Sequence, residues 1–229
     1  MNLAVMQPYL FPYIGYFQLI YASDLFLVYD DVSYIKQGYI NRNSILSPNG
    51  VCRFTVPVPG ASSNKLISDL EFSKDVTRVL RTIVQSYSKA PFFEKIFPLI
   101  ERILTKEDRS IASICIESYG AIFSYLGVTR HFMKTSDLEY ERSASARERL
   151  LALCHQFEAD CYINAPGGRA LYSDIEFAEK GVVLKFIESQ PVQYNQGASE
   201  FVPNLSIIDA LMNCSPDQVV SLFRQYELN

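Results

Sequence analysis

The stretch Asn2-Leu3-Ala4-Val5-Met6-Gln7-Pro8-Tyr9-Leu10-Phe11-Pro12-Tyr13-Ile14-Gly15-Tyr16-Phe17 decides the fold, together with Leu25-Phe26-Leu27-Val28-Tyr29-Asp30-Asp31 shortly after it. Asn2 to Met6 is short, apolar and followed by proline, which reads as a buried strand. Pro8 has no N–H for a sheet ladder and Pro12 repeats the interruption, so the chain leaves the sheet here. Gly15 lets backbone pass close to another group. Phe17, Leu19, Ile20 and Tyr21 predict a short helix that ends by Asp24, and Leu25 to Tyr29 predicts a second buried strand. Strand, loop, helix and strand open an α/β sheet, in which ligands sit beyond the carboxyl ends of the strands. That rule puts the Gln7–Tyr16 loop and the Asp30-Asp31 pair at the working edge.

Working outward, Ser47-Pro48-Asn49-Gly50 is a turn signal between two apolar runs and predicts a β-hairpin within about 39–58. Leu70–Phe72 reads as a short edge strand. A helical block follows over about 73–127. Its first helix is capped by Ser73, its second starts at Pro91 and contains Pro98, and its third runs from Ser110 to a stop at Gly127. The block is either a lobe or one face of the same domain. Alternation then resumes: strands at His131–Lys134, Cys161–Ile163 and Val182–Ile187 are separated by helices. The tail carries two capped helices, with a capping box at Ser206…Asp209 and an Ser215-Pro216 start. The order implies a mostly parallel, Rossmann-like α/β sheet flanked by helices, with an inserted hairpin and a helical block between its halves, over a single domain of residues 1–229.

The 229 residues are 48% hydrophobic and 20% charged, as in ordinary globular chains, with net charge −4. That balance argues against broad nucleic-acid binding. Lys36 is the first basic residue and prolines break the N-terminal apolar run, so neither a signal peptide nor a membrane span is expected. Five scattered cysteines and two histidines offer no disulfide framework and no metal site, which fits a cytoplasmic chain with reduced thiols.

Four polar clusters could carry chemistry. Asp30-Asp31 could hold a divalent cation or orient a polar substrate, or could simply cap or turn the chain. Lys36, Asn41, Arg42 and Asn43 form a polar patch in which Arg42 has the fork geometry for phosphate or carboxylate, the plain alternative being a surface ion pair. Gly167-Gly168 follows a strand and precedes a helix, as does Ser136 in the equivalent earlier place. Tyr194-Asn195-Gln196 is an amide-rich loop suited to sugar hydroxyls or to solvent.

At these residues the chain resembles the WbqC-like protein family. The resemblance rests on Gln7–Phe17, Asp24, Asp30-Asp31, Asn41-Arg42-Asn43, Pro57, Ser136, Gly167-Gly168, Tyr194-Asn195-Gln196 (where the family pattern has Tyr-Pro-Gln) and Phe201–Asp209. It implies a setting in O-antigen or other surface-polysaccharide biosynthesis, and transfer of an aminoacyl or similar acyl group to the amine of a nucleotide-linked amino sugar. A non-catalytic nucleotide-sugar-binding protein that assists a partner enzyme is the other reading. Under the first, Asp30, Asp31 and Lys36 are the candidate catalytic residues. Gln7, Tyr9, Tyr13, Gly15, Tyr16, Asn41, Arg42, Asn43, Ser136, Gly167, Gly168, Tyr194, Gln196, Asn204 and Ser206 are the candidate substrate-binding residues, with Arg42 and the Gly167-Gly168 turn for pyrophosphate. Activation of a free acid in place would call for ATP and Mg²⁺, and no G-x-x-x-x-G-K-[ST] loop is present. The chain is also similar to nucleotidylyltransferase-type Rossmann folds, with Tyr13-Ile14-Gly15-Tyr16 standing at the place of their His-x-Gly-His.

Overall fold

Side chains of Asn2–Met6 (β1) alternate between two dry faces: Leu3 and Val5 join one core, and Ala4 joins another. A strand buried on both sides calls for parallel neighbours and helices on either face. The computed structural model, which describes residues 1–198 and 200–229, has both. β1 pairs in parallel with Leu25–Val28 (β2) on one side and Cys161–Asn164 (β6) on the other. His131–Lys134 (β5) extends the sheet beyond β2, and Val183–Ser189 (β7) extends it beyond β6, again in parallel. Tyr226–Leu228 (β8) closes the β7 edge antiparallel, giving the order β5-β2-β1-β6-β7-β8. Arg42–Ser47 (β3) and Gly50–Thr55 (β4) form a separate antiparallel hairpin.

One face of the sheet is covered by Ala146–Gln156 (α5) and Asp174–Ala178 (α6), through Leu150, Leu153 and Phe177. The other carries Ile14–Ala22 (α1), Thr77–Tyr87 (α2), Phe93–Leu104 (α3), Ile111–Tyr125 (α4), Ile207–Asn213 (α7) and Pro216–Phe223 (α8). Apolar side chains of the helical block and of the hairpin join the same core as Ala4, Phe26 and Ile163. Of the two alternatives the sequence left, the block therefore covers one face of the sheet.

The chain builds β1, β2 and β5 in one direction, then crosses back to add β6 and β7 on the far side of β1. The β1/β6 junction is thus the topological switch point, where open α/β sheets form a crevice.

Residues 7–13 pass over that crevice. Phe11 is fully buried at φ 44°, a left-handed conformation that costs a bulky L-residue on the order of 1–2 kcal/mol. Its carbonyl is held by two side chains: Asn43 Nδ2 donates at 2.8 Å and Ser206 Oγ at 2.7 Å. Leu10 N–H donates to the Ile40 carbonyl, Ile207 N–H to that of Pro12, and Ser206 N–H to that of Ser44. Tyr119 of α4 places its hydroxyl against both the N–H (2.9 Å) and the carbonyl (2.7 Å) of Tyr9, and Tyr16 OH donates to the Gln7 carbonyl at 2.7 Å. Hairpin, helical block and C-terminal helices all grip one loop.

Several local expectations change. Ser73 does not cap α2: its Oγ accepts from Asp75 N–H, Asp75 accepts from Thr77 N–H, and the helix begins at Thr77. Pro91 lies in a turn before α3, which starts at Phe93 and runs through Pro98. Leu70–Phe72 forms no strand, and only Glu71 makes a bridge, to Ser110. Ser206 caps α7 by accepting from Ile208 N–H, but the carboxylate of Asp209 turns to side chains instead of completing a capping box.

Ser206→Ala and Asn43→Ala each leave the Phe11 carbonyl one side-chain donor, and each is expected to cost about 1–2 kcal/mol. The double variant leaves a buried carbonyl with neither, so it should lose more than the sum of the two. Urea unfolding of the four proteins measures this, and simple additivity would show that the two donors do not share an anchor.

Candidate functional site

A cleft of about 300 Å³ opens beyond the carboxyl ends of β1 and β6. Gln7 and Tyr9 line it from the gripped loop, Tyr29 from just past β2, and Asn164, Gly167 and Gly168 from just past β6, with Tyr172 and Ile35 completing the wall. No carboxylate and no cation is among the lining residues. Two wall atoms, Gln7 Oε1 and Tyr29 OH, are buried without a hydrogen-bond partner among the described residues. Native structures rarely leave such atoms orphaned except where a ligand or an ordered water pairs them. Burial pushes the Tyr29 phenol up to about 12, so at neutral pH it is a hydroxyl donor, while Gln7 Oε1 is an amide acceptor. Donor, acceptor and aromatic faces together suit a polar ring such as a sugar or a base.

The glycine pair divides its work. A Cβ on Gly168 would collide with the Asn164 amide, so glycine is needed for the turn to close over that side chain. A Cβ on Gly167 would meet nothing within 4 Å, and that position keeps the cleft open.

A second cleft, of about 470 Å³, lies between the start of α1 and the segment that follows β7. Tyr13, Gly15, Gln18, Ser189, Tyr194 and Asn204 line it, again without an ionised side chain. A Cβ on Gly15 would lie 2.5 Å from the Tyr13 ring and 3.0 Å from Ser189 Oγ, so only glycine fits there. Gln18 is fully buried: its Nε2 donates to the carbonyls of Leu222 (2.9 Å) and Gln225 (3.0 Å), while Oε1 has no partner among the described residues. The far wall is pinned by Asp209, which accepts from Tyr87 OH (2.7 Å), Tyr194 OH (2.8 Å) and Gln196 Nε2 (3.0 Å). All three donors are neutral, and burial raises the carboxyl above its ordinary value despite them.

The predicted site residues separate into five groups. Gln7, Tyr9, Gly167 and Gly168 meet in the first cleft, and Tyr13, Gly15, Tyr194 and Asn204 in the second. Tyr16, Asn41, Asn43, Gln196 and Ser206 line neither and hold main chain or Asp209 in place. Asp30, Asp31 and Ser136 come together but face one another. Asp30 accepts from the N–H (2.9 Å) and Oγ (2.7 Å) of Ser136, and Asp31 from Thr135 Oγ1 (2.6 Å), Tyr140 OH (2.7 Å) and Arg142 Nε (2.8 Å). Both carboxylates are buried and tie the end of β2 to the segment after β5. Lys36 is exposed beside Ile35 and Arg42 is half-buried near Asn41; neither lines a cleft.

Sequence reasoning missed Tyr29, Asn164, Tyr172 and Gln18. Tyr29 and Asn164 stand at strand ends, where the placement rule could have found them. Gln18 and Tyr172 are brought in by packing, which no local pattern signals. Among the described residues, no group of three or more His, Cys, Asp or Glu side chains is arranged to hold a metal ion, and no helix is long and apolar enough to cross a membrane.

The sequence model of the WbqC-like protein family matches residues 7–221. The chain is 31% identical over 217 residues to the uncharacterized protein Rv1507c of Mycobacterium tuberculosis, an alignment that covers 93% of each chain. No solved structure matches it.

The raised Asp209 carboxyl has a sign that can be measured. The unfolded chain sheds this proton near the ordinary 3.8, while the folded chain keeps it to higher pH. In that interval the native state binds more protons, so the Asp209 contribution to stability falls as pH rises above about 3.8 and levels off past the native value. Unfolding free energies of wild type and Asp209→Asn, compared between about pH 3.5 and 7, should show the wild-type advantage shrinking with pH. An advantage that grows would contradict the assignment.

Proposed function

This chain belongs to the WbqC-like protein family, and we propose that its switch-point cleft receives a nucleotide-linked amino sugar whose amine accepts an aminoacyl (glycyl) or similar acyl group in surface-polysaccharide (O-antigen) biosynthesis. The observation that carries this reading is the pair of buried, unpartnered atoms Gln7 Oε1 and Tyr29 OH in an aromatic, uncharged cleft at the β1/β6 junction. A nucleotide-linked sugar supplies a hydroxyl that can donate to Gln7 Oε1 and oxygens that can accept from Tyr29 OH.

In the transfer, the free amine attacks the acyl carbonyl, a C–N bond forms, the bond to the leaving group breaks, and the ammonium loses a proton. The neighbouring cleft, with Gln18 Oε1 and the first turn of α1, is the natural seat for the acyl donor. Asp30 and Asp31 line neither cleft and already accept several hydrogen bonds, which leaves the leaving group itself as the proton acceptor. A donor that arrives as a free acid would need ATP and Mg²⁺, because an unactivated carboxylate and an amine do not couple usefully at neutral pH.

One observation favours the second reading, a nucleotide-sugar-binding protein that assists a partner enzyme: neither cleft is lined by a carboxylate or a cation. A thermal-shift screen against UDP-, dTDP- and GDP-linked amino sugars separates the readings when it is followed by mass spectrometry with activated acyl donors. We expect one nucleotide sugar to raise the melting temperature, and Gln7→Leu and Tyr29→Phe each to weaken it about tenfold. Appearance of the acylated sugar establishes transfer. Binding with no product from any donor establishes the accessory role, and no shift with any nucleotide sugar sinks both.

A further inference from the structure

Arg149 on α5 is a cation without a counter-ion. Its neighbours Arg142 and Arg147 pair with Asp31 and Glu176, but Arg149 makes no ion pair and no side-chain hydrogen bond among the described residues. Its Nε is buried and unpartnered. The guanidinium carbon lies 5.4 Å from the centroid of the Tyr29 ring. Its charge also reaches the phenol of Tyr172, opposing the upward push of burial at both tyrosines. Tyr29 and Tyr172 line the switch-point cleft, and Tyr29 OH is itself without a partner.

Arg149 does not itself line the cleft but lies against Tyr29, and two donors there, the Tyr29 hydroxyl and the Arg149 Nε, have no hydrogen-bond partner among the described residues. Arg142 already occupies the nearby Asp31 carboxylate. A half-buried guanidinium without a counter-charge is costly to hold in place unless something outside the chain completes it. The lining residues are uncharged and the nearby Asp31 is already paired with Arg142, so the Arg149 charge beside Tyr29 favours an anion there.

We propose that Tyr29 and Tyr172 on the cleft wall, together with Arg149 lying against Tyr29, bind an anion, a phosphate or diphosphate group. This deepens the nucleotide-sugar reading and rests on it. It moves the expected pyrophosphate contact from Arg42, which lines neither cleft, to α5. A tetrahedral anion presents oxygens in several directions and can accept from a guanidinium fork and a phenol at once. Gln7 Oε1, an acceptor on the same cleft, would then face the sugar or base rather than the phosphate.

The test is calorimetric titration of the full chain with inorganic pyrophosphate, UDP and uridine, using wild type, Arg149→Gln, Arg149→Lys and Tyr29→Phe. Arg149→Gln should fold, since its side chain bonds nothing among the described residues; its melting temperature without ligand checks this, and the lysine and phenylalanine variants carry the test if it does not fold. Pyrophosphate and UDP should bind wild type, about tenfold or more weaker to Arg149→Gln and severalfold weaker to Arg149→Lys and Tyr29→Phe. Uridine should not distinguish wild type from Arg149→Gln. Equal binding of pyrophosphate to wild type and all three variants, or no anion binding at all, overturns the proposal. A nucleotide sugar held equally by wild type and Arg149→Gln also overturns it while leaving the nucleotide-sugar reading intact. Arg149-dependent pyrophosphate binding in a protein that ignores every nucleotide sugar does the reverse.

Discussion

The carbonyl of Phe11 accepts from Asn43 and from Ser206, and the working edge of the sheet depends on that double anchor. The residue is bulky, buried and left-handed, a state that no local preference would choose. Asn43 comes from the hairpin and Ser206 from the cap of α7, so two distant segments hold one strained peptide. Tyr119, from the helical block, adds a third grip at Tyr9. The result is a loop whose one end offers Gln7 and Tyr9 to the switch-point cleft and whose other end offers Tyr13 and Gly15 to its neighbour. Insertions that look peripheral in the chain order act as the clamp for its first loop.

The two clefts share a chemistry of neutral donors, acceptors and aromatic faces. The acidic pair at the end of β2 lines neither cleft and accepts hydrogen bonds from the segment after β5. Thr135 has a single hydroxyl proton, and its shortest contact sends that proton to Asp31; Ser136 serves Asp30. These bonds fix the ends of β2 and β5, and with them the position of Tyr29, which lies one residue before the pair and does face the cleft.

Much of the architecture was legible because it rests on short-range rules. Apolar runs bounded by proline gave the strands. The Pro48-Asn49 turn set the hairpin, and Ser145 and Ser215 started their helices with full capping boxes. The misreadings occur where a side chain has two suitors. Ser73 prefers a tight turn with Asp75, and Asp209 leaves its own helix to accept from two tyrosines and a glutamine. Asp30 and Asp31 were located at the correct edge, yet their partners lie more than a hundred residues away, beyond any local pattern. β8 was missed because a three-residue strand at the chain end carries no periodic signal. For the candidate site, the glycines and the loop were readable from backbone needs. Gln18 and Arg149 are defined by what they fail to touch and Tyr172 by packing, which only coordinates reveal.

A crystal structure of the protein grown with a UDP- or dTDP-linked amino sugar would test the central claim most directly. The account predicts the ligand beyond the β1 and β6 ends, within hydrogen-bond reach of Gln7 Oε1 and Tyr29 OH, with Phe11 still left-handed and still bonded to Asn43 and Ser206. A ligand bound elsewhere, or a loop that abandons those two anchors to admit it, would contradict the account.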